Sequence, residues 1–228
     1  MQIIPIPLRF SNAYLVIDQS AILVDAGFTG DADAIIQAIT DAGISPYEIQ
    51  LLVHTHGHID HAGATAELKR RLALRTLVHT ADATMLATGT NGTVKPRNLE
   101  AQAVAALMVK PYEAVTPDIL IHSETSLAPY GINGTIWCTP GHTKGSISLV
   151  LGNGDAIVGD VMMGGWLGGV IRPTTPNYHY FVDDWSAVNQ SISRLLSVAP
   201  QRWYVGHGGP LTRDRIARQF AHSSDYRQ

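Results

Sequence analysis

The sequence predicts a single α+β domain spanning residues 1–228. Short apolar runs of strand length alternate with amphipathic helical patterns along the chain. They fall into two successions of strands followed by helices, compatible with an internal pseudo-duplication, although no repeat of fixed period is visible. No linker-like composition interrupts them, and 228 residues are enough to bury a substantial core.

The totals narrow the function classes. A hydrophobic content of 45% with 15% charged residues is that of a compact protein rather than a disordered one. A formal charge of −3 offers no basic field and argues against nucleic acid as a partner. The single cysteine cannot form an internal disulfide, which fits a reducing compartment. Residues 1–17 do not read as a signal peptide, because Pro5 and Pro7 interrupt them and Arg9 falls where an apolar core would lie. No apolar run approaches the ~18 residues of a membrane span. The expectation is a cytoplasmic protein with no membrane partner.

The elements follow in order. Residues 13–17 and 22–25 are strands joined by a hairpin signal, Asp18-Gln19-Ser20. Asp31 can cap a helix with Ile35, Ile36 and Ile39 on one face, stopped by Gly43. Ser45-Pro46-Tyr47-Glu48 is a capping box before a strand over 49–53. A helix is expected over 62–72 and a strand over 76–79. Residues 84–112 read as an insertion, with a turn at 89–92 and a helix over 98–110. Strands at 119–121, 135–138, 146–151 and 156–158 follow, the last two joined by an Asn153-Gly154 turn. The glycine- and proline-rich stretch 164–180 reads as a long loop. A helix over 184–198, a strand over 203–205 and a helix over 212–222 complete the chain.

Chemistry concentrates between the strand at 49–53 and the helix after it, where residues 55–61 read Thr-His-Gly-His-Ile-Asp-His. A helix would turn His56 and His58 to nearly opposite sides, at ~100° per residue. An extended loop points residues i and i+2 the same way, so both can share one metal. Asp60 and His61 arrive as the chain turns into the helix and can face a second ion. Three further candidates each follow a strand: His142 in Thr139-Pro140-Gly141-His142, Asp160 after Gly159, and His207 between Gly206 and Gly208. Flanking glycine and proline let the backbone turn sharply and carry a side chain close to an ion. The set holds five His and two Asp, enough for two metals with an open position.

His56-x-His58-x-Asp60-His61, then His142, Asp160 and His207, resembles the pattern of the metallo-β-lactamase-fold superfamily, specifically its short glyoxalase-II-like metallo-hydrolases. The resemblance runs from Asp25 to His207 and implies a four-layer αββα sandwich with metals at one edge between two sheets. It also implies that His56, His58 and His142 hold one ion, that Asp60, His61 and His207 hold the other, and that Asp160 bridges them. Asp25 would support a ligand from behind or simply end its strand, and His79 is left structural.

Departures sort the subfamilies. True β-lactamases of this fold commonly place Cys or Ser where Asp160 stands, and Cys138 is not at that place and is expected to be a small buried strand residue. Quorum-quenching lactonases carry a Tyr soon after the bridging Asp, whereas Val161-Met162-Met163 follows here. Tyr178 or Tyr180 could supply a phenol, with packing the alternative for both. Nucleases of the fold carry large added domains, and glyoxalase II adds a glutathione-binding segment after the last ligand.

Two dications ~3.5–4 Å apart can bridge one water and bring its pKa from 15.7 toward ~7. The expected enzyme is therefore a binuclear hydrolase using a bridging hydroxide on an ester, thioester or lactone of a small-molecule substrate. Asp60 would ligate, orient the hydroxide and shuttle its proton. Zinc heads the candidate divalent metals, with iron or manganese also suited to these donors. The competing class is a mononuclear iron persulfide dioxygenase; a silent binding module fits poorly because no ligand is missing. Substrate choice would fall to 84–112 as a lid, with Val104, Leu107 and Met108 facing Trp166 and Leu167, or else as a helix packed on the sheet. Oligomeric state is left open.

Overall fold

The computed structural model describes residues 1–108, 110–198 and 200–220. The first half contains β1 (Gln2–Pro7), β2 (Asn12–Ile17), β3 (Ala21–Val24), α1 (Ala32–Asp41), β4 (Ile49–Val53), α2 (Ile59–Ala62), α3 (Thr65–Leu72), β5 (Thr76–His79), α4 (Ala83–Thr88), α5 (Leu99–Met108) and β6 (Ile119–Ile121). The second contains β7 (Thr125–Ser126), β8 (Gly134–Cys138), β9 (Ile147–Leu151), β10 (Asp155–Gly159), β11 (Met163–Trp166), β12 (Ile171–Asn177), α6 (Trp185–Ser197), β13 (Arg202–Val205), β14 (Leu211–Thr212) and α7 (Arg213–Phe220).

Among the described residues the strands make two six-stranded sheets, ordered β1-β2-β3-β4-β5-β6 and β14-β13-β10-β9-β8-β7, and a separate β11–β12 pair. The period of two in each strand explains the layering. Tyr14, Val16, Ile22, Val24, Leu51 and Val53 point inward and meet Ile136, Leu149, Ile157 and Tyr204 of the other sheet. Their neighbours Leu15, Leu23 and Leu52 point outward, under Ile35, Ile39 and Leu68 of α1 and α3. On the far side Val158, Trp203 and Val205 pack beneath Val188, Ile192, Leu195 and Ile216 of α6 and α7. Both faces of each sheet are covered, so the central strands are near-continuous apolar runs. The result is the expected four-layer αββα sandwich.

Several elements differ from expectation. Residues 164–180 are mostly the β11–β12 hairpin, whose pairing runs from Met163↔Asn177 to Trp166↔Ile171. Glycine and proline made it read as a loop. The proline-containing β1 is a strand because it lies at a sheet edge, where a missing N–H is tolerated. The helix expected over 62–72 is split into α2 and α3 around Gly63, where a Cβ would fall 2.4 Å from the Ile59 carbonyl. Asp31 sits at the start of α1 but caps nothing there; its carboxylate accepts from Phe28 N (2.8 Å). The capping box at Ser45 and Glu48 is as expected, and Asp184 caps α6 by accepting from Ala187 N (2.9 Å). The last helix begins at Arg213, after β14, and residues 221 and 222 of the expected helix lie outside the described residues. Cys138 is half-buried on β8 rather than buried. Among the described residues, no helix is long and apolar enough to cross a membrane.

Candidate metal centre

The candidate residues leave the carboxyl ends of strands from both sheets. β4 runs out at Val53, and the extended backbone through His58 (φ −73°, ψ 153°) carries His56 and His58 to one place. Asp60 and His61 then lie in the first turn of α2. His142 follows β8, Asp160 follows β10 and His207 follows β13. The sheets are pinned together beside them: Tyr14 Oη and Asn12 Nδ2 both donate to the Val205 carbonyl, at 2.6 and 3.0 Å. All seven side chains are buried, and the structure brings all of them together.

Two convergences stand side by side. His142 Nε2 lies 3.1 Å from His56 Nε2 and 3.0 Å from His58 Nδ1. Next to it, His207 Nε2 is 3.3 Å from both Asp60 Oδ2 and Asp160 Oδ2, and His61 Nε2 is 3.4 Å from Asp160 Oδ2. Asp160 Oδ2 also lies 3.7 Å from His56 Nε2 and 3.5 Å from His142 Nε2, so it stands between the two groups. Close approach is afforded by Gly206, where a Cβ would come 2.0 Å from Asp160 Oδ1 and 2.6 Å from His61 Cε1.

The ring partners fix which nitrogen faces inward. Nδ1–H of His61 donates to Asp25 Oδ2 (2.8 Å), that of His142 to the Phe181 carbonyl (2.8 Å), and that of His207 to the Phe10 carbonyl (2.8 Å). His56 Nδ1 meets Thr55 Oγ1 (3.1 Å), whose hydroxyl donates to Asp25 Oδ2 (2.7 Å). Asp25 thus sets two imidazoles, one directly and one through Thr55. It does so from a left-handed backbone (φ 63°), which Asp tolerates better than most residues. Each of these histidines points Nε2 into the cluster, the arrangement by which proteins orient metal-binding imidazoles.

These residues fit divalent cations on observations of the structure itself. The buried atoms Asp60 Oδ1, His61 Nε2, both Asp160 oxygens and His207 Nε2 have no hydrogen-bond partner. Unpartnered buried groups of this kind are costly unless an ion satisfies them. Burial pushes His56, His58 and His142 below their ordinary pKa, His58 to about 3, so these rings present lone pairs. Burial also opposes charge on the carboxyls, but His61 and His207 outweigh it at Asp60, and His179, His207 and His61 outweigh it at Asp160. Both carboxyls are held below their usual range. In turn, burial lowers His207 and His61, yet the carboxylates win and raise both, His207 to about 10.

His179, in the stretch expected to be loop, went unnoticed in the sequence. It is buried with Nε2 3.1 Å from Asp160 Oδ2. Its Nδ1 accepts from Phe181 N (3.2 Å), so Nε2 carries the proton and faces Asp160 with no lone pair to offer. Its one sequence signal was a histidine between two tyrosines. His79 stays apart, accepting from Ala81 N through Nδ1 (3.2 Å). Tyr178 packs on Trp185 and Phe220, while Tyr180 donates to Glu100 and is pushed up to about 12, by burial and then by Glu100.

A cavity of about 260 Å³ opens onto the cluster, lined by Asp60, His179 and His207 at one end and by apolar side chains beyond. Glu100 and Val104 of α5 and Leu167 of the β11–β12 turn contribute its wall; Trp166 does not. The side chains of Leu107 and Met108 lie outside the described residues.

The chain is 29% identical over 215 residues to the "Probable metallo-hydrolase" of Methanocaldococcus jannaschii, covering 92% of this chain and 93% of that one. It is 29% identical over 174 residues to a hydroxyacylglutathione hydrolase of Haemophilus influenzae, covering 74% of each. Among solved structures, a metallo-β-lactamase from Cronobacter sakazakii superposes with a TM-score of 0.68 at 21% identity, over 97% of this chain and 88% of that one. The family model described as the metallo-beta-lactamase superfamily matches residues 6–207, and the chain belongs to that superfamily.

Proposed function

We propose that this chain is a binuclear metal-dependent hydrolase of an ester, thioester or lactone. His56, His58 and His142 would hold one ion, Asp60, His61 and His207 the other, with Asp160 shared by the two groups. The double convergence of ring nitrogens and carboxylates, the second group with unpartnered atoms and one Asp160 oxygen facing both groups, is the observation that carries this reading. Divalent cations bound there supply Lewis acidity and bring the pKa of a coordinated water from 15.7 toward ~7.

The remaining chemistry belongs to the chain. Asp60 is ionised and lines the cavity, and its backbone carbonyl is fixed by the Ser11 hydroxyl. It therefore acts as an acceptor that orients the attacking water and carries its proton to the leaving group. His179, with Nε2 3.1 Å from Asp160 Oδ2, packs against that carboxylate and limits where it can turn. Residues 84–112 act as a lid that supplies one wall of the substrate cavity. The hydroxyacylglutathione hydrolase relative, whose named substrate is a thioester, supports acyl transfer to water.

Elemental analysis of the purified protein should find close to two metal ions per chain. Asp60→Asn should retain most of that metal and lose at least ~10²-fold in turnover of a simple thioester. One tightly bound iron, no second ion, and oxygen uptake with a persulfide would overturn the proposal in favour of a dioxygenase.

A further inference from the structure

Past the catalytic end, the cavity changes character. Asp60, His179 and His207 close one side, and Phe10, Phe28, Val104, Leu167 and Phe181 form most of the rest. No lysine or arginine lines it among the described residues, and its further charged group is an acid, Glu100. That carboxylate accepts from Leu167 N (3.1 Å) and from the Tyr180 hydroxyl. One side chain thus ties α5, the β11–β12 turn and the segment after β12 into a preformed wall. Arg97, half-buried and outside the lining, donates to Asn177 Oδ1 (3.2 Å). Beyond the wall the apolar surface continues: Leu167 is 56% exposed, Val170 beside it in the turn 80%, and Leu99 next to Glu100 82%.

We propose that this cavity is an acyl-chain site, and that the preferred substrate is an ester or thioester of a medium-chain fatty acid. The proposal rests on the hydrolase reading above and adds its substrate class. An unbranched hydrocarbon needs apolar walls and no ionic partner, which is what the lining offers. A glutathione thioester carries two carboxylates, and away from the metal end the lining offers them no lysine or arginine and one acid, Glu100. Size sets the chain length. At the ~30 Å³ share of a water, close to that of a methylene, the cavity holds roughly eight such groups. Longer chains would run out over Leu167 and Val170 and gain little more.

Two series test this on the metal-loaded protein. The first is kcat/KM for acyl thioesters from acetyl to dodecanoyl, with lactoylglutathione alongside. The second is calorimetric binding of the uncleaved neutral amides from acetamide to decanamide. The expected result is a rise of about two- to fourfold per methylene in both series, levelling near eight carbons. Octanoyl thioester should exceed lactoylglutathione on the order of a hundredfold. Val104→Asp should shrink the octanoyl-to-acetyl ratio at least about tenfold. Should that variant fail to fold, Leu167→Ser at an exposed turn reads the same ratio. Hydrolysis with flat chain-length series, or lactoylglutathione as the best substrate, would overturn the acyl-chain site and leave the hydrolase intact. Amides that bind with the expected slope while no ester is cleaved would support the site and sink the hydrolase reading. Flat amide binding with no cleavage would overturn both.

Discussion

Asp25→Asn isolates how much of the centre depends on a residue that touches no substrate. The substitution keeps size and shape, and Asn accepts the left-handed backbone that Asp25 adopts at φ 63°. Thr55 N–H can still donate to the remaining oxygen, now at 2.7 Å from Asp25 Oδ1. What changes is the other atom. Asp25 Oδ2 accepts from His61 Nδ1–H at 2.8 Å and from the Thr55 hydroxyl at 2.7 Å, and in the variant an NH₂ group takes its place. A donor would then face a donor, and His61 must switch tautomer. The switch moves its proton to Nε2, the atom 3.4 Å from Asp160. Thr55, relieved of donating to residue 25, can donate to His56 Nδ1 and switch that ring as well. Supporting partners of this kind are worth ~10–100-fold in metal affinity, or about 1.4–2.8 kcal/mol. Competition titration against a chromophoric zinc chelator reads this directly, with circular dichroism to confirm that the variant is folded. A folded Asp25→Asn protein that binds zinc within about twofold of wild type would show that the hydrogen bonds behind the rings do not set their orientation.

Three further outcomes follow from named contacts. Gly206→Ala inserts a Cβ 2.0 Å from Asp160 Oδ1 and 2.6 Å from His61 Cε1, so the centre must move by about 1 Å; hydrolysis should fall ~10²-fold in a steady-state assay. His179→Ala removes the ring that stands 3.1 Å from Asp160 Oδ2, and zinc affinity should drop about tenfold in the same chelator titration. Asp118 accepts from Thr76 N, Thr76 Oγ1 and Lys69 Nζ, and although burial raises its pKa these partners outweigh it and hold it below the ordinary value. A lowered folded pKa stabilises above the unfolded value near ~4 and the benefit fades as pH falls through the folded one. Urea titrations of Asp118→Asn should therefore show a loss of about 1 kcal/mol or less at pH 7 that shrinks toward zero below pH ~4.

What the sequence made legible was whatever depends on neighbours along the chain. His56 and His58 meet because alternate residues of an extended loop face one way, and that is visible in five letters. The inward and outward faces of β2, β3 and β4 follow the same period of two. His142, Asp160 and His207 were marked by the glycines and prolines that end their strands. Features set by distant packing were not marked. His179 carries no such flank, and its place against Asp160 exists only because β12 returns the chain to the centre. The hairpin itself was hidden by Gly164, Gly165, Pro173 and Pro176, residues that oppose strands locally and are overruled by pairing. Asp25 showed its strand-end position, but its grip on two imidazoles needed Thr55 and His61 to be seen in space.

The side chains of the centre come from both sheets, and this ties the upkeep of the fold to the supply of an ion. His58 and His142 stand 84 residues apart in sequence with their ring nitrogens 3.0 Å apart, so a cation gripped by both acts as a reversible cross-link. A covalent cross-link closing a loop of that size removes unfolded-state entropy worth on the order of 4 kcal/mol, a large share of the ~5–15 kcal/mol by which a domain is stable. Scarcity of the ion would then lower the amount of folded protein before it lowered the rate of any single molecule. A newly made chain faces the same dependence: until His207 has been synthesised, the early histidines have only part of their partners, and the clasp between the sheets cannot close.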